Sequence, residues 1–334
     1  MVKYIMIIEI NHNKHVIIKL LRRKTMDIST AEKFEANLKS MNRSVLNILL
    51  RDMTMGRNII FATDAYASLG YRDTDEITRD RIMKGGRCII HPRFKKSADE
   101  QAKRTKLKAE VFSNTWLCCL MINYADDEWF GRKNVFNEMQ DDNTWKTTDH
   151  AEFDDAEGKT WKDYVLSKRL EITCGEAPYL VSRYDTVTGM TLPVADRIGM
   201  LDRKLRVVNE NTNTPREWMR WAKKAYQSVY GYEVSGDSLL IGRINLLFTF
   251  VENYESRWGK QPSLNQIRAV AEIIAWNLWQ MDGLTGLTPL GSPYREHEQI
   301  SLFDMDENTD SSPKSVPCRI KWDDEVIKFN ELGK

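Results

Sequence analysis

The chain has 334 residues, 42% of them hydrophobic and 10% aromatic, enough for one large core or for one core with a smaller lobe. Lys and Arg number 49 and Asp and Glu 48, so the formal net charge of +1 neither requires nor excludes a nucleic-acid partner. Five cysteines without metal-ligand spacing favour a reduced, cytoplasmic protein without a metal site. We expect no membrane span, which needs roughly 20 apolar residues, and no signal peptide, because His12, Lys14 and His15 interrupt the apolar N-terminus.

The first 140 residues divide into an extension and a helical region. Residues 1–25 are predicted as an N-terminal extension, either a hairpin of two short strands or a dispensable segment. Residues 26–140 are predicted as a helical N-terminal region, in which Ser29, with a glutamate three residues on, has the spacing of a helix start. Residues 58–62 are a short strand candidate in this region.

Strands and helices alternate after the acidic, polar stretch at 141–161, which predicts an α/β sheet in residues 160–330. The predicted elements are, in order, a strand ending at Ile172, a long insertion at 185–213, a helix from Pro215, a strand ending at Glu233, a helix after it, and a helix from Ser263 to Leu278.

The first candidate site is the turn Thr173-Cys174-Gly175, with Glu176 and Ala177 after it. Gly175 tolerates a positive φ and lets the backbone pass close to a ligand. A helix start beyond the turn would offer free N–H groups. The alternative is an ordinary strand-to-helix turn, because a single glycine does not make a G-x-G-x-x-G motif.

The second candidate is Glu233, which is followed by Val234. A carboxylate at the carboxyl end of a strand, with a helix start at Ser235 or Asp237, is placed to accept hydrogen bonds from both hydroxyls of a ribose. The alternative is an acid that only favours the helix dipole. The glycine turn and the acid in this order together favour a nucleotide-type cofactor site.

The third candidate is Phe112-Ser113-Asn114, directly before a predicted helix. Ser113 or Asn114 suits the N-cap position of that helix. The alternative is a capped core helix with Trp116 and Leu120 buried.

These three segments resemble motifs of the amino-group DNA methyltransferases. The segments that carry the resemblance are Lys106–Met121, Leu170–Leu180 and Tyr230–Leu247. The likeness runs in order from about Gly56 to Asp282. The chain most resembles the group often named restriction endonuclease subunit M, which are adenine-N6 methyltransferases of restriction–modification systems.

The resemblance implies a Rossmann-like S-adenosylmethionine-dependent methyltransferase sheet with a helical N-terminal part, and S-adenosyl-L-methionine as the cofactor. By this resemblance Thr173 to Ala177 would line the methionine part, Glu233 and Val234 would hold the ribose, and Phe112 to Asn114 would close the pocket. The chain departs from the family pattern at three points. Ser113-Asn114 replaces the usual Thr-Pro, Ala177 replaces a second glycine, and the insertion between the first two strands is long.

The family's catalytic motif, Asn/Asp-Pro-Pro-Tyr/Phe, holds a flipped base and orients its amino group. No such string occurs in this sequence. The nearest string is Ser292-Pro293-Tyr294, a weak catalytic candidate that is more typical of a surface turn. Residues 320–324 are predicted as the strand whose acid, Asp323, contacts the adenine of the cofactor.

The sequence therefore predicts the cofactor-binding part of a split or truncated DNA adenine-N6 methyltransferase. Double-stranded DNA and a second methyltransferase or restriction subunit would be its partners. One alternative is a catalytically inactive, cofactor-binding subunit that regulates an enzyme or recruits it to DNA. Another is an unrelated helical structural protein. The basic stretch Lys84–Arg87 would contact phosphates or form a solvated loop.

Overall fold

The computed structural model of the chain describes residues 30–108, 113–153, 158–290 and 314–332. The helices in these ranges are α1 (30–40), α2 (Arg43–Leu50), α3 (Arg79–Ile82), α4 (Ala98–Lys108), α5 (Thr115–Phe130), α6 (Trp161–Leu166), α7 (Met200–Asn211), α8 (Pro215–Gln227), α9 (Gly236–Trp258) and α10 (Leu264–Asn277). The strands are β1 (Met83–Lys84), β2 (Arg87–Cys88), β3 (Asn137–Met139), β4 (Trp145–Thr147), β5 (Arg169–Glu171), β6 (Val229–Glu233), β7 (Leu278–Gln280), β8 (Arg319–Trp322) and β9 (Glu325–Lys328). The predicted extension at 1–25 and the helix start at Ser29 lie outside the described residues.

A three-stranded parallel sheet in the order β5-β6-β7 organises the fold. Leu170 of β5 lies opposite Tyr230 of β6, and Gly231 of β6 lies opposite Leu278 of β7. Parallel strands need crossover connections. Here α7 and α8 connect β5 to β6, and α9 and α10 connect β6 to β7. The chain is therefore a mixed α/β protein, as predicted, and its middle strand is buried along its whole length.

The third strand of this sheet is not the predicted one. The prediction for residues 320–324 is wrong, because β8 pairs with β9 in an antiparallel hairpin. The third parallel strand is β7, where the sequence predicts the end of a helix. Helix α10 ends at Asn277, whose side-chain amide donates to the carbonyl oxygens of Tyr226 and Val229, both at 3.0 Å. These bonds fasten the helix end to the start of β6, and the three residues that follow form the buried strand.

The two faces of the sheet are covered by different elements. Val229 and Leu278 belong to the main core, which contains the buried residues of α7, α8, α9 and α10. Tyr230 and Tyr232 point to the other face, where Ile320 of the β8–β9 hairpin packs against them. Parallel sheets bury both faces, so the hairpin covers the second face of this one.

The segment 58–62 crosses the carboxyl ends of β6 and β7, and it forms isolated bridges rather than the predicted strand. The Gln280 side chain accepts a hydrogen bond from the Ile60 backbone N–H at 2.9 Å and donates one to the Ile60 carbonyl at 2.8 Å. Gly236 donates its N–H to the Phe61 carbonyl at 2.9 Å. A Cβ on Gly236 would lie 1.9 Å from the Ile60 oxygen, so only glycine permits this approach.

A buried charge network ties the N-terminal part to the start of α9. Asp237 Oδ2 lies 2.6 Å from Arg104 Nη2 and 3.2 Å from Lys96 Nζ. It also accepts a hydrogen bond from the Tyr66 hydroxyl at 2.8 Å. Elements from the predicted 26–140 region thus contact the sheet region directly, and the proposed boundary between the two stays a prediction.

Candidate functional site

The predicted glycine turn follows β5 and has an unusual backbone. Thr173, Gly175 and Ala177 have φ values of 45°, 54° and 64°. Positive φ is unfavourable for residues with a side chain, so neighbouring groups must hold this turn in place. The Cys174 N–H donates a hydrogen bond to the Tyr232 carbonyl at 2.8 Å, and the Cys174 carbonyl accepts one from the Ala177 N–H at 2.7 Å. The turn is thereby fixed against the end of β6.

The structure brings Gly175 and Glu233 together. Glu233 is the last residue of β6, and its Oε2 accepts a hydrogen bond from the Gly175 N–H at 2.8 Å. Its Oε1 accepts one from the Ser235 N–H at 2.9 Å. Glu233 is buried, and each of its carboxylate oxygens thus accepts a backbone N–H group next to the end of a strand. Two apolar residues beside the turn and the acid, Ile172 and Val234, are 64% and 39% exposed.

The other predicted lining residues differ in what they present. Thr173 is exposed, whereas the side chains of Cys174, Glu176 and Ala177 are buried. The Glu176 carboxylate accepts from the Arg93 N–H at 2.5 Å and from the Tyr184 hydroxyl at 2.8 Å. Any contact of these three buried residues with a ligand would therefore come from the backbone.

Glu171 is a buried acid at the end of β5 that the sequence analysis did not single out. It accepts hydrogen bonds from the backbone N–H groups of Tyr179 at 3.3 Å and Leu180 at 3.0 Å. Burial raises the pKa of Glu171 to about 8, and these two bonds oppose the effect. The signal in the sequence is an acid within the short apolar run that leads to the glycine. Its role is to hold the chain after the glycine turn.

The described residues of the turn predicted to close the pocket, Ser113 and Asn114, are called the closing turn and are bonded to the chain that follows the glycine turn. The Tyr179 hydroxyl donates to Ser113 Oγ at 3.2 Å. Asn114 is the N-cap of α5 but makes no side-chain capping bond. The Thr115 N–H instead donates to Asp185 Oδ2 at 2.7 Å. Phe112 lies outside the described residues.

Asp323 does not lie with these residues. It sits in the turn between β8 and β9 and forms an ion pair with Lys168, which directly precedes β5. Asp323 therefore lies at the amino end of the sheet, whereas Gly175 and Glu233 lie at the carboxyl end. The acid that follows the third strand is Asp282, which the sequence analysis missed because it placed this strand elsewhere. The weak catalytic candidates Ser292, Pro293 and Tyr294 lie outside the described residues.

A separate cleft of about 630 Å³ opens at the amino end of the sheet. Its charged lining residues are Arg51, Lys168, Lys224, Arg319 and Lys321, together with Glu272, Asp323 and Asp324. Helices α2, α6, α8 and α10 all end here, at or next to lining residues. Helix C-termini carry partial negative charge and favour nearby cations, so they account for much of the basic lining.

No protein-family model, curated protein or solved structure matches this chain. The resemblance at the three motifs therefore stays a prediction. Over the described ranges, no helix has the length and apolarity to cross a membrane. In the same part of the chain, no cluster of three or more His, Cys, Asp or Glu side chains is arranged to hold a metal ion.

Proposed function

We propose that this chain binds S-adenosylmethionine at the carboxyl end of its parallel sheet and acts as the adenine-N6 DNA methyltransferase subunit of a restriction–modification system. The observation that carries the proposal is the 2.8 Å hydrogen bond between the Gly175 N–H and Glu233 Oε2. It joins a glycine turn and an acid at the carboxyl ends of adjacent parallel strands, and open α/β sheets bind nucleotide-type ligands beyond the carboxyl ends of their strands. In this proposal the sheet is the first part of a Rossmann-like methyltransferase fold.

The residues present suit the groups of this cofactor. Glu233 would accept hydrogen bonds from the ribose hydroxyls, and the exposed side chains of Ile172 and Val234 would pack against the adenine. The exposed side chain of Thr173 would contact the methionine part, and Ser113 and its neighbours would close over it. When bound, the cofactor supplies an electrophilic methyl group, and the chain contributes the alignment of that group with the DNA base.

The residues that hold the target base would come from a second chain. Transfer to an exocyclic amine needs a polar side chain and an aromatic ring around the flipped base, and the sequence has no Asn/Asp-Pro-Pro-Tyr/Phe string. We propose that a second methyltransferase or restriction subunit in the cytoplasm supplies them, with double-stranded DNA as the substrate.

The cofactor site is tested by calorimetric titration with S-adenosylhomocysteine. We expect Glu233→Ala to weaken binding by about 1–3 kcal/mol, because it removes a charged hydrogen-bond acceptor. Glu255→Ala is the matched control, since Glu255 is an exposed acid on the same helix that follows Glu233. Equal affinity of the wild type and Glu233→Ala would show that the acid is misassigned.

The activity is tested by methylation of unmethylated double-stranded DNA, with and without the product of a neighbouring methyltransferase or restriction gene. We expect transfer only in the presence of the second protein. Robust transfer by the chain alone would contradict an external base-holding part. Cofactor binding without transfer in either case would favour the alternative of a regulatory or DNA-recruiting subunit.

A further inference from the structure

The turn before helix α5 is held by residues 179–186, which we call the docking segment. The Tyr179 hydroxyl donates to Ser113 Oγ at 3.2 Å. The Thr186 hydroxyl donates to the Ser113 carbonyl at 3.1 Å. Both bonds are between segments far apart in sequence, so they fix the position of the turn relative to the sheet and not only its local conformation.

Asp185 supplies the cap that Asn114 does not. Its Oδ2 accepts the Thr115 N–H at 2.7 Å, which places a carboxylate at the positive end of α5. Its Oδ1 accepts from the N–H groups of Val187 at 3.0 Å and Thr188 at 2.7 Å. One oxygen therefore holds the docking segment's own loop, and the other holds the closing turn.

The docking segment is also attached to the glycine turn. Tyr179 and Leu180 donate their N–H groups to the carboxylate of Glu171. Val181 donates its N–H to the Ala177 carbonyl at 2.9 Å. The docking segment thus connects the glycine turn at one end to the closing turn at the other.

We propose that Asp185 is a positioning residue, which docks the closing turn onto the glycine turn and thereby sets the affinity for the cofactor. This inference rests on the cofactor site proposed above. Asp185 acts through Thr115 and contacts no cofactor atom. Without the bond from Thr115 to Asp185, the closing turn is held less firmly by the docking segment, while the residues that would contact the cofactor stay unchanged.

The test compares Asp185→Asn with the wild type in calorimetric titrations of the full chain with S-adenosylhomocysteine. Asparagine has one acceptor oxygen, so it cannot serve both the Thr188 and the Thr115 N–H groups. We expect about tenfold weaker binding, the effect of losing one hydrogen bond to a charged group. Asp196→Asn is the matched control, because Asp196 is exposed, and we expect its affinity to stay within about twofold of the wild type.

Amide hydrogen exchange separates positioning from a purely structural role. In the wild type and in Asp196→Asn, S-adenosylhomocysteine should slow exchange in the first turn of α5, residues 115–120. In Asp185→Asn this protection by the ligand should be largely lost. A structural role alone would speed exchange by the same factor with and without the ligand, and that result would overturn the inference.

The remaining outcomes are also decisive. If the wild type does not bind S-adenosylhomocysteine, the proposed cofactor site fails and this inference fails with it. If the wild type binds and Asp185→Asn binds equally well, only the role of Asp185 is wrong. Should Asp185→Asn not fold, Tyr179→Phe and Thr186→Val each remove one bond to Ser113, and unchanged affinity in both would overturn the inference.

Discussion

The carboxyl and amino ends of the parallel sheet differ in what their polar groups do. At the carboxyl end, Gly175 lies in a strained turn and is hydrogen-bonded to Glu233 of β6. Ile172 and Val234 are exposed beside them. The amino end has the open cleft of about 630 Å³, but the ends of four helices lie at its rim. The proposed ligand site therefore rests on the direction in which the strands and helices point and not on the size of the cleft.

Lys204 illustrates the different use of charge at the amino end. It is fully buried, and burial holds the pKa of its ammonium group well below the usual range. Its Nζ donates to the Val165 carbonyl at 3.1 Å, to Ser228 Oγ at 2.7 Å and to the Ser167 carbonyl. All three acceptors belong to the protein, so this lysine joins the segments that lead into β5 and β6. At the carboxyl end, in contrast, the buried charge is the Glu233 carboxylate, which accepts the backbone N–H groups of Gly175 and Ser235.

The largest expected effect concerns the attachment of the N-terminal part to the carboxyl end. Asp237→Ala would remove the buried carboxylate that pairs with Lys96 and Arg104, and breaking a buried pair in this way costs about 3–5 kcal/mol. We expect that loss in the free energy of unfolding measured with urea. Asp149→Ala, at an exposed acid, should change it by less than about 0.5 kcal/mol. Equal values for the two variants would mean that the carboxyl end does not depend on this network.

A second prediction uses pH to examine Glu171 beneath the glycine turn. Its pKa is raised to about 8 in the folded chain, from a usual value of 4.5, so the folded state holds the proton more tightly than the unfolded state. This contribution to stability is fully present below about pH 4.5 and is lost as the pH rises through 8. Relative to Glu171→Gln, which cannot ionise, the wild type should lose about 1–2 kcal/mol of unfolding free energy between pH 5 and 8. The difference in unfolding free energy between the two proteins cancels the effect of groups that titrate in both. If the two plots of unfolding free energy against pH run parallel, the pKa of Glu171 is not raised.

The elements that the sequence predicts well are those with a local cause. The capping box of Ser263 and Gln266 starts α10, and Pro215 starts α8 within one turn of its threonine cap. The acid at the end of β6 is likewise readable, because a buried apolar run stops at Glu233 and a helix follows.

The elements that the sequence does not reveal depend on distant contacts. Leu278 continues the apolar periodicity of a helix, and only the bonds of Asn277 to the start of β6 show that the helix has ended. The run at 320–324 has the composition of a buried strand, but it pairs with the next strand and not with the parallel sheet. The role of Asp185 is hidden for the same reason, since its partner Thr115 lies 70 positions away.

The smallest expected effect sharpens the contrast between the two ends. Asp323 is 72% exposed and pairs with Lys168 at the amino end, and an exposed ion pair contributes at most about 1 kcal/mol. We therefore expect Asp323→Ala and its neighbour variant Asp324→Ala to bind S-adenosylhomocysteine within about twofold of the wild type. Glu233→Ala should bind about 5- to 150-fold more weakly. The three titrations are done side by side at one salt concentration, because screening would alter an exposed pair and not a buried site. If Asp323→Ala weakens binding as much as Glu233→Ala, the ligand lies at the amino end of the sheet or contacts both ends. The direction of the strands would then not determine where the ligand binds.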